Sequence, residues 1–83
     1  MKPSEIINKY GWVQGSYGDN KRGYCLMGAI RRAYRGVLLQ RQAEEAVCSA
    51  LGIHACLTGM ATWNDEVCKS KRQVVTALRK VNQ

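Results

Sequence analysis

Eighty-three residues, 46% of them hydrophobic, make one domain over 1–83, near the size limit for a single core, since so short a chain buries only roughly 60 to 65% of its unfolded surface. With two Trp, four Tyr and no Phe, that core is small and leaves little room for a deep substrate cavity. The net charge of +7 points to an anionic partner, while the lack of any apolar run near the roughly 18 to 20 residues of a bilayer span, or of an apolar leader after Met1, excludes a membrane protein and predicts a soluble cytoplasmic one.

In chain order, Pro3 or Ser4 opens a short helix with Ile6, Ile7 and Tyr10 on its apolar side and Gly11 as its stop. Residues 11–23 hold four glycines with Ser16, Asp19 and Asn20, which is turn chemistry, with room for one extended piece at Trp12-Val13-Gln14. A lone strand makes no sheet. A second helix is predicted from about Tyr24 to Arg35, stopped by Gly36, with Leu26, Met27, Ile30, Ala33 and Tyr34 on one side and Arg31, Arg32 and Arg35 within an arc of about 100° on the other. Gly28 sits inside that arc, where it costs helix stability and admits a close approach by a partner or by another element of the chain.

A third helix is predicted from about Leu39 to Leu51, with Leu39, Ala43, Ala46, Val47, Ala50 and Leu51 inward, Glu44 and Glu45 outward and Gly52 as a left-handed stop. Arg41 stands four residues before Glu45, at the spacing of a surface pair. Residues 53–62 fit neither period, because Thr58 and Gly59 weaken a helix and no alternation supports a strand. The final helix carries the S-x-x-Q spacing of a capping box at Ser70 and Gln73, followed by Val74, Val75, Leu78 and Val81 on one face. The expected architecture is therefore all-α, a compact bundle of three to four short helices with a glycine-rich loop after the first.

Charge is segregated along this frame. Residues 21–41 hold six Lys and Arg and no acid, residues 67–83 hold five and no acid, and residues 42–66 hold four acids and no Lys or Arg. Folded onto one core, the second and last helices are expected to present their cations side by side, with Arg31, Arg32, Arg35, Lys69, Arg72, Arg79 and Lys80 as the binding residues. Such a face suits an acidic host protein, nucleic acid or a nucleotide, bound by a monomer or homodimer. Tyr17 or Tyr24 can add stacking on single strands, although no known nucleic-acid motif is present.

Four cysteines in a chain without an export signal are expected as free, mostly buried thiols. Cys48, His54, Cys56 and Cys68 are zinc-ligand types, but no C-x-x-C pair exists, so no metal or cofactor is assigned. A thiol hydrolase is the enzymatic alternative. Cys25 lies at a helix start, where amides and the dipole lower a thiol pKa, and His54 with Asn64 or Asp65 follows in the order Cys, His, Asn. With one histidine and no rigid frame around it, the expectation is a non-enzymatic protein.

Three clusters stand out: Gly11-Trp12-Val13-Gln14-Gly15, then Gly23-Tyr24-Cys25-Leu26-Met27-Gly28-Ala29-Ile30, then Trp63-Asn64-Asp65. Together they resemble a small domain family of unknown function from bacteria, actinobacteria especially, and their phages, over roughly residues 10–80. The resemblance implies a bacterial or phage cytoplasm and no particular reaction. In that setting the chain reads as a phage or mobile-element accessory factor that inhibits or modulates a host component. Physically, the clusters predict that Trp12 and Trp63 bury and anchor two loops, and that Asn64 and Asp65 satisfy backbone amides. Gln14, Cys25, Asn64 and Asp65 then form a candidate polar site.

Overall fold

A computed structural model describes all residues, 1–83. It holds five α-helices rather than three to four: α1 (Pro3–Tyr10), α2 (Leu26–Ala33), α3 (Val37–Leu51), α4 (Leu57–Thr62) and α5 (Lys71–Lys80). Between α1 and α2 lies a two-stranded antiparallel ribbon, β1 (Gly18–Asp19) and β2 (Gly23–Tyr24), to which Trp12 adds a single parallel bridge at Tyr24. The extended piece expected at Trp12 therefore does find a partner, through Val13 N–H donating to Tyr24 O.

The four longer helices form a closed ring in which α1 packs on α2 and α5, and α3 packs on the same two. Thus α1 and α3 occupy opposite corners, as do α2 and α5. Their shared interior is filled by Ile6, Ile7, Leu26, Ile30, Val47, Val74 and Leu78, all essentially inaccessible to solvent. The helix α4 leans on α2 from one side and brings Met60 to the core.

Local chemistry explains most element ends. Pro3 occupies the first turn of α1, where its missing N–H costs nothing, while Glu5 accepts the Lys2 amide at 2.8 Å. Gly11 ends that helix at φ 105°, a conformation costly for any residue with a Cβ. Ser70 accepts the Gln73 amide at 3.3 Å, and the Gln73 side chain accepts from Lys69 N–H, one residue earlier than a standard capping box. In the ribbon turn, the Arg22 amide and guanidinium and the Lys21 amide hold the Asp19 carboxyl below its usual pKa.

Three expectations are corrected. The third helix begins at Val37, and its first turn projects beyond the ring, so Leu39 is 52% exposed rather than inward; Ala50 is exposed as well, while Glu44 is half-buried. Residues 57–62 are helical, with Cys56 at the N-cap: its Sγ accepts Gly59 N–H at 3.3 Å. Trp12 and Trp63 are only half-buried, leaning on the core from its edge.

From α4 the chain continues into one turn of π-helix, Trp63–Val67, closed by Cys68 N–H donating to Trp63 O at 2.8 Å. No helix is long and apolar enough to cross a membrane.

Candidate functional site

The three sequence clusters meet in space, and Asn64 is where they meet. This side chain is 1% exposed. Its Oδ1 accepts the Trp12 indole N–H at 2.8 Å and the Leu26 amide, one of the free N–H groups at the start of α2, at 3.0 Å. Its Nδ2 donates to Val13 O at 3.1 Å and to Asp65 Oδ1 at 2.8 Å. Every hydrogen-bonding position of the amide is thereby used, which is how a buried polar group avoids its desolvation cost.

Gln14 closes the same latch from the other side. Its Nε2 donates to the carbonyls of Asn64, Asp65 and Cys68 at 3.2, 3.0 and 3.3 Å. Those carbonyls sit in and just after the π-turn, where the regular i to i+4 pattern is interrupted and acceptors are left over. Asp65 completes the set by accepting Gly15 N–H at 3.0 Å.

Beside the latch opens a cleft of about 370 Å³, walled by Tyr17, Met27, Leu57 and Met60 with Cys25 and Asp65 at its polar end. Cys25 is the N-cap of α2, and its Sγ accepts Gly28 N–H at 3.2 Å. Despite that placement its pKa is raised, not lowered: burial is the main cause, the amides of Gly28 and Met27 oppose it, and the Asp65 charge adds to it. The thiol stays protonated at neutral pH. His54 is exposed on the α3–α4 connection and does not line this cleft. No three His, Cys, Asp or Glu side chains gather in a metal-binding cluster, so Cys48, His54, Cys56 and Cys68 do not form a ligand set.

Gly28 is approached by the chain itself. A Cβ there would fall 2.0 Å from Tyr17 O, so the glycine loop lies directly on α2. Above it, the Arg31 guanidinium stacks over the Tyr17 ring at 4.9 Å.

The cations are not arranged as the sequence suggested. Helices α2 and α5 occupy opposite corners of the ring, so their basic sides do not lie against each other. They flank α1 instead. Arg32 and Arg35 share the α1–α2 groove with Lys9, and Arg72 and Arg79 share the α1–α5 groove with Lys71 and Asn8. Neither groove contains an acid. Arg31 is diverted to Tyr17, Lys69 Nζ donates to Glu66 O at 3.2 Å, and Lys80 lines a separate groove with Trp63 and Val67. Sequence reasoning missed Lys9, Lys71 and Asn8. The position of Lys9, three residues after Ile6 and so at the border of the Ile6 and Tyr10 stripe, was the available signal.

Only two of the thirteen Lys and Arg side chains pair with an acid, Arg22 with Asp19 and Arg41 with Glu45, and neither pair lies in these grooves. The acids of residues 42–66 leave the α1 face uncovered.

Fold and surface together define a small basic helical domain whose loops are locked by a Trp–Asn–Gln network. A family model described as a family of unknown function, DUF6197, matches residues 3–83, and the chain belongs to that family. No curated protein and no solved structure matches it.

Proposed function

We propose that this is a non-enzymatic binding protein that docks on an anionic host component through the cationic face centred on α1, as an accessory factor of a phage or mobile element. The observation that carries this reading is the pair of acid-free grooves on either side of α1, with Lys9, Arg32 and Arg35 in one and Lys71, Arg72 and Arg79 in the other. A surface built only for solubility intersperses both signs. Here, apart from Glu5 beside Arg79, one sign is gathered around one helix.

Two further features favour binding over catalysis. The polar residues shared by the three sequence clusters are consumed in holding the loops together, and the one cleft-lining thiol is kept protonated. An acidic host protein is one partner for such a face. Nucleic acid is the second reading, favoured by the arrangement of the cations as two rows.

The test is a pull-down from bacterial lysate with the tagged protein, with and without nuclease. Recovery of a defined host component that is lost on changing Arg32, Arg35, Arg72 and Arg79 to Gln supports the reading. Undiminished recovery by that variant refutes it.

A further inference from the structure

We propose that the first turn of α3 and the arginines beside it form a docking tip for an anionic lipid bilayer, with Val37, Leu38 and Leu39 entering the interfacial layer and the arginines meeting lipid phosphates. This goes beyond the reading above and does not depend on it, because it needs only the end of α2 and the start of α3.

Three aliphatic side chains in succession stand in water here. Val37 is 74% exposed, Leu38 70% and Leu39 52%, whereas Ala43, Val47 and Cys48 further along the same helix are buried. The other exposed large apolar residues, Met1, Tyr17, Leu57 and Val67, occur singly along the chain. Single ones are ordinary on protein surfaces, but a cluster rimmed by charge marks a place of contact.

The rim is cationic. Arg35 lies two residues before Val37, and Arg41 stands three after Leu38, on the same side of α3. Arg32 shares a groove with Arg35 and Lys9. From Arg31 to Ala43 there is no acid; the next residues are Glu44, which is half-buried, and Glu45, which pairs with Arg41 at 4.0 Å with both side chains largely exposed, a weak contact.

That combination selects the occupant. A second copy would bring its own net charge of +7 and the same arginines to the contact, so self-association is opposed. A folded acidic protein answers the charge but not the shape, because successive helical residues point about 100° apart and the three side chains spread over about 200° around the end of α3. A rigid surface covers one side of such an end. Leu and Val are also under-represented among the anchors of protein contacts. A fluid interface closes around all three, and anionic headgroups answer the arginines.

The helix end sets the depth. Gly36 caps α3 without a side-chain bond, and the amides of Val37, Leu38 and Leu39 have no hydrogen-bond partner in the protein. Such groups are costly in hydrocarbon, whereas lipid phosphate oxygens can accept from them. The contact is therefore with the surface of one leaflet, and no helix is long and apolar enough to cross it.

The experiment is co-sedimentation with vesicles of phosphatidylglycerol and phosphatidylethanolamine, against vesicles of phosphatidylcholine. Binding to the anionic vesicles and little to phosphatidylcholine is expected. Val37→Ser with Leu38→Ser should lower the partition coefficient roughly 25-fold, at about fivefold per side chain, and Arg35→Gln with Arg41→Gln should lower it by a similar factor. All four side chains are exposed, so the folded state is retained, which circular dichroism verifies. The serine variant keeps every cation, so its binding anionic vesicles as well as the wild type does overturns insertion of the tip. Binding to no vesicle overturns the proposal outright, as does a dimer in sedimentation velocity that the serine variant abolishes. In the lysate pull-down the serine variant should recover the host component undiminished, which keeps the outcome for the α1 face separate. Loss of that component by the serine variant would place the tip on a protein and overturn the proposal.

Discussion

Trp12 and Asn64, fifty-two positions apart in the chain, are joined by a 2.8 Å hydrogen bond from the indole N–H to the amide Oδ1, and the same oxygen accepts the Leu26 amide. One buried side chain therefore ties the glycine loop, the start of α2 and the π-turn into a single unit. The outer wall of the cleft depends on it.

Replacing Asn64 by Ala should destabilise the protein by roughly 2 to 4 kcal/mol, because the indole and the Leu26 amide both lose their acceptor. Asn64→Asp separates the two halves of the side chain. The acceptor survives, but the donor to Val13 O and Asp65 Oδ1 is lost, and a carboxylate is placed beside another carboxylate. Its folded-state pKa would be raised, so the variant should be most stable at low pH and lose stability as pH rises through that value. Urea titrations followed by tryptophan fluorescence at pH 4 and pH 7 check this; equal losses at both would contradict it.

Gly28 and Gly36 should respond in opposite directions. Gly28→Ala improves helix propensity by about 1 kcal/mol, yet its Cβ would lie 2.0 Å from Tyr17 O. The overlap should dominate and give a net loss of roughly 1 to 3 kcal/mol. Gly36 caps α3 without a side-chain bond and has open space around it. Gly36→Ser should therefore gain about a few tenths of a kcal/mol, readable as a small rise in thermal midpoint.

The four thiols should divide cleanly under alkylation. Cys56 is exposed, whereas Cys25, Cys48 and Cys68 are buried. Iodoacetamide at pH 7.5 should give one adduct on the native protein and four in denaturant, by intact-mass spectrometry. Rapid native labelling of Cys25 would revive the thiol-hydrolase reading.

Alkaline pH should erode stability through those buried thiols. Burial raises the pKa of Cys25, Cys48 and Cys68 above the ordinary 9.0, and Cys48, pushed further by Glu44 and Cys56, reaches about 11. A raised folded-state value means the unfolded chain gives up its protons first. The stabilising contribution is complete below pH 9 and disappears as pH climbs toward 11. Thermal midpoints measured from pH 7 to pH 11 should fall over that window, and Cys48→Ala should flatten the decline.

Much of this was legible in the sequence where local chemistry decides. Ile6, Ile7, Val74, Val75 and Leu78 announce their helices by spacing, and Ser70 announces where α5 begins. Leu39 misled because an apolar residue at helical spacing says nothing about how far the helix extends past its neighbours. The short α4 was hidden by Gly59, which weakens a helix, yet a Cβ there would lie 2.7 Å from His54 O, so the tight connection demands it.

The candidate site was legible in its parts but not in its assembly. The cations of α2 and α5 were visible, and all of them are exposed. That they flank α1 follows from which helices are neighbours in the ring, which no local pattern encodes. The groove beside α2 joins Lys9 to arginines from another helix, while Lys71, counted in the basic run 67–83, lies with Arg72 and Arg79 of its own helix against Asn8 of α1. The resemblance reached the family, and the latch supplies the physical reason its clusters belong together: Gln14, Trp12, Asn64 and Asp65 bond to one another across the fold.

The π-turn has an implication for how the chain can vary. Each added or deleted residue turns everything beyond it by about 100°. A single insertion or deletion between Trp63 and Cys68 would swing either the Asn64 amide or the Cys68 carbonyl out of reach of its partners. Relatives of this protein should therefore align through that stretch without gaps, however freely they exchange the exposed residues Glu66 and Val67.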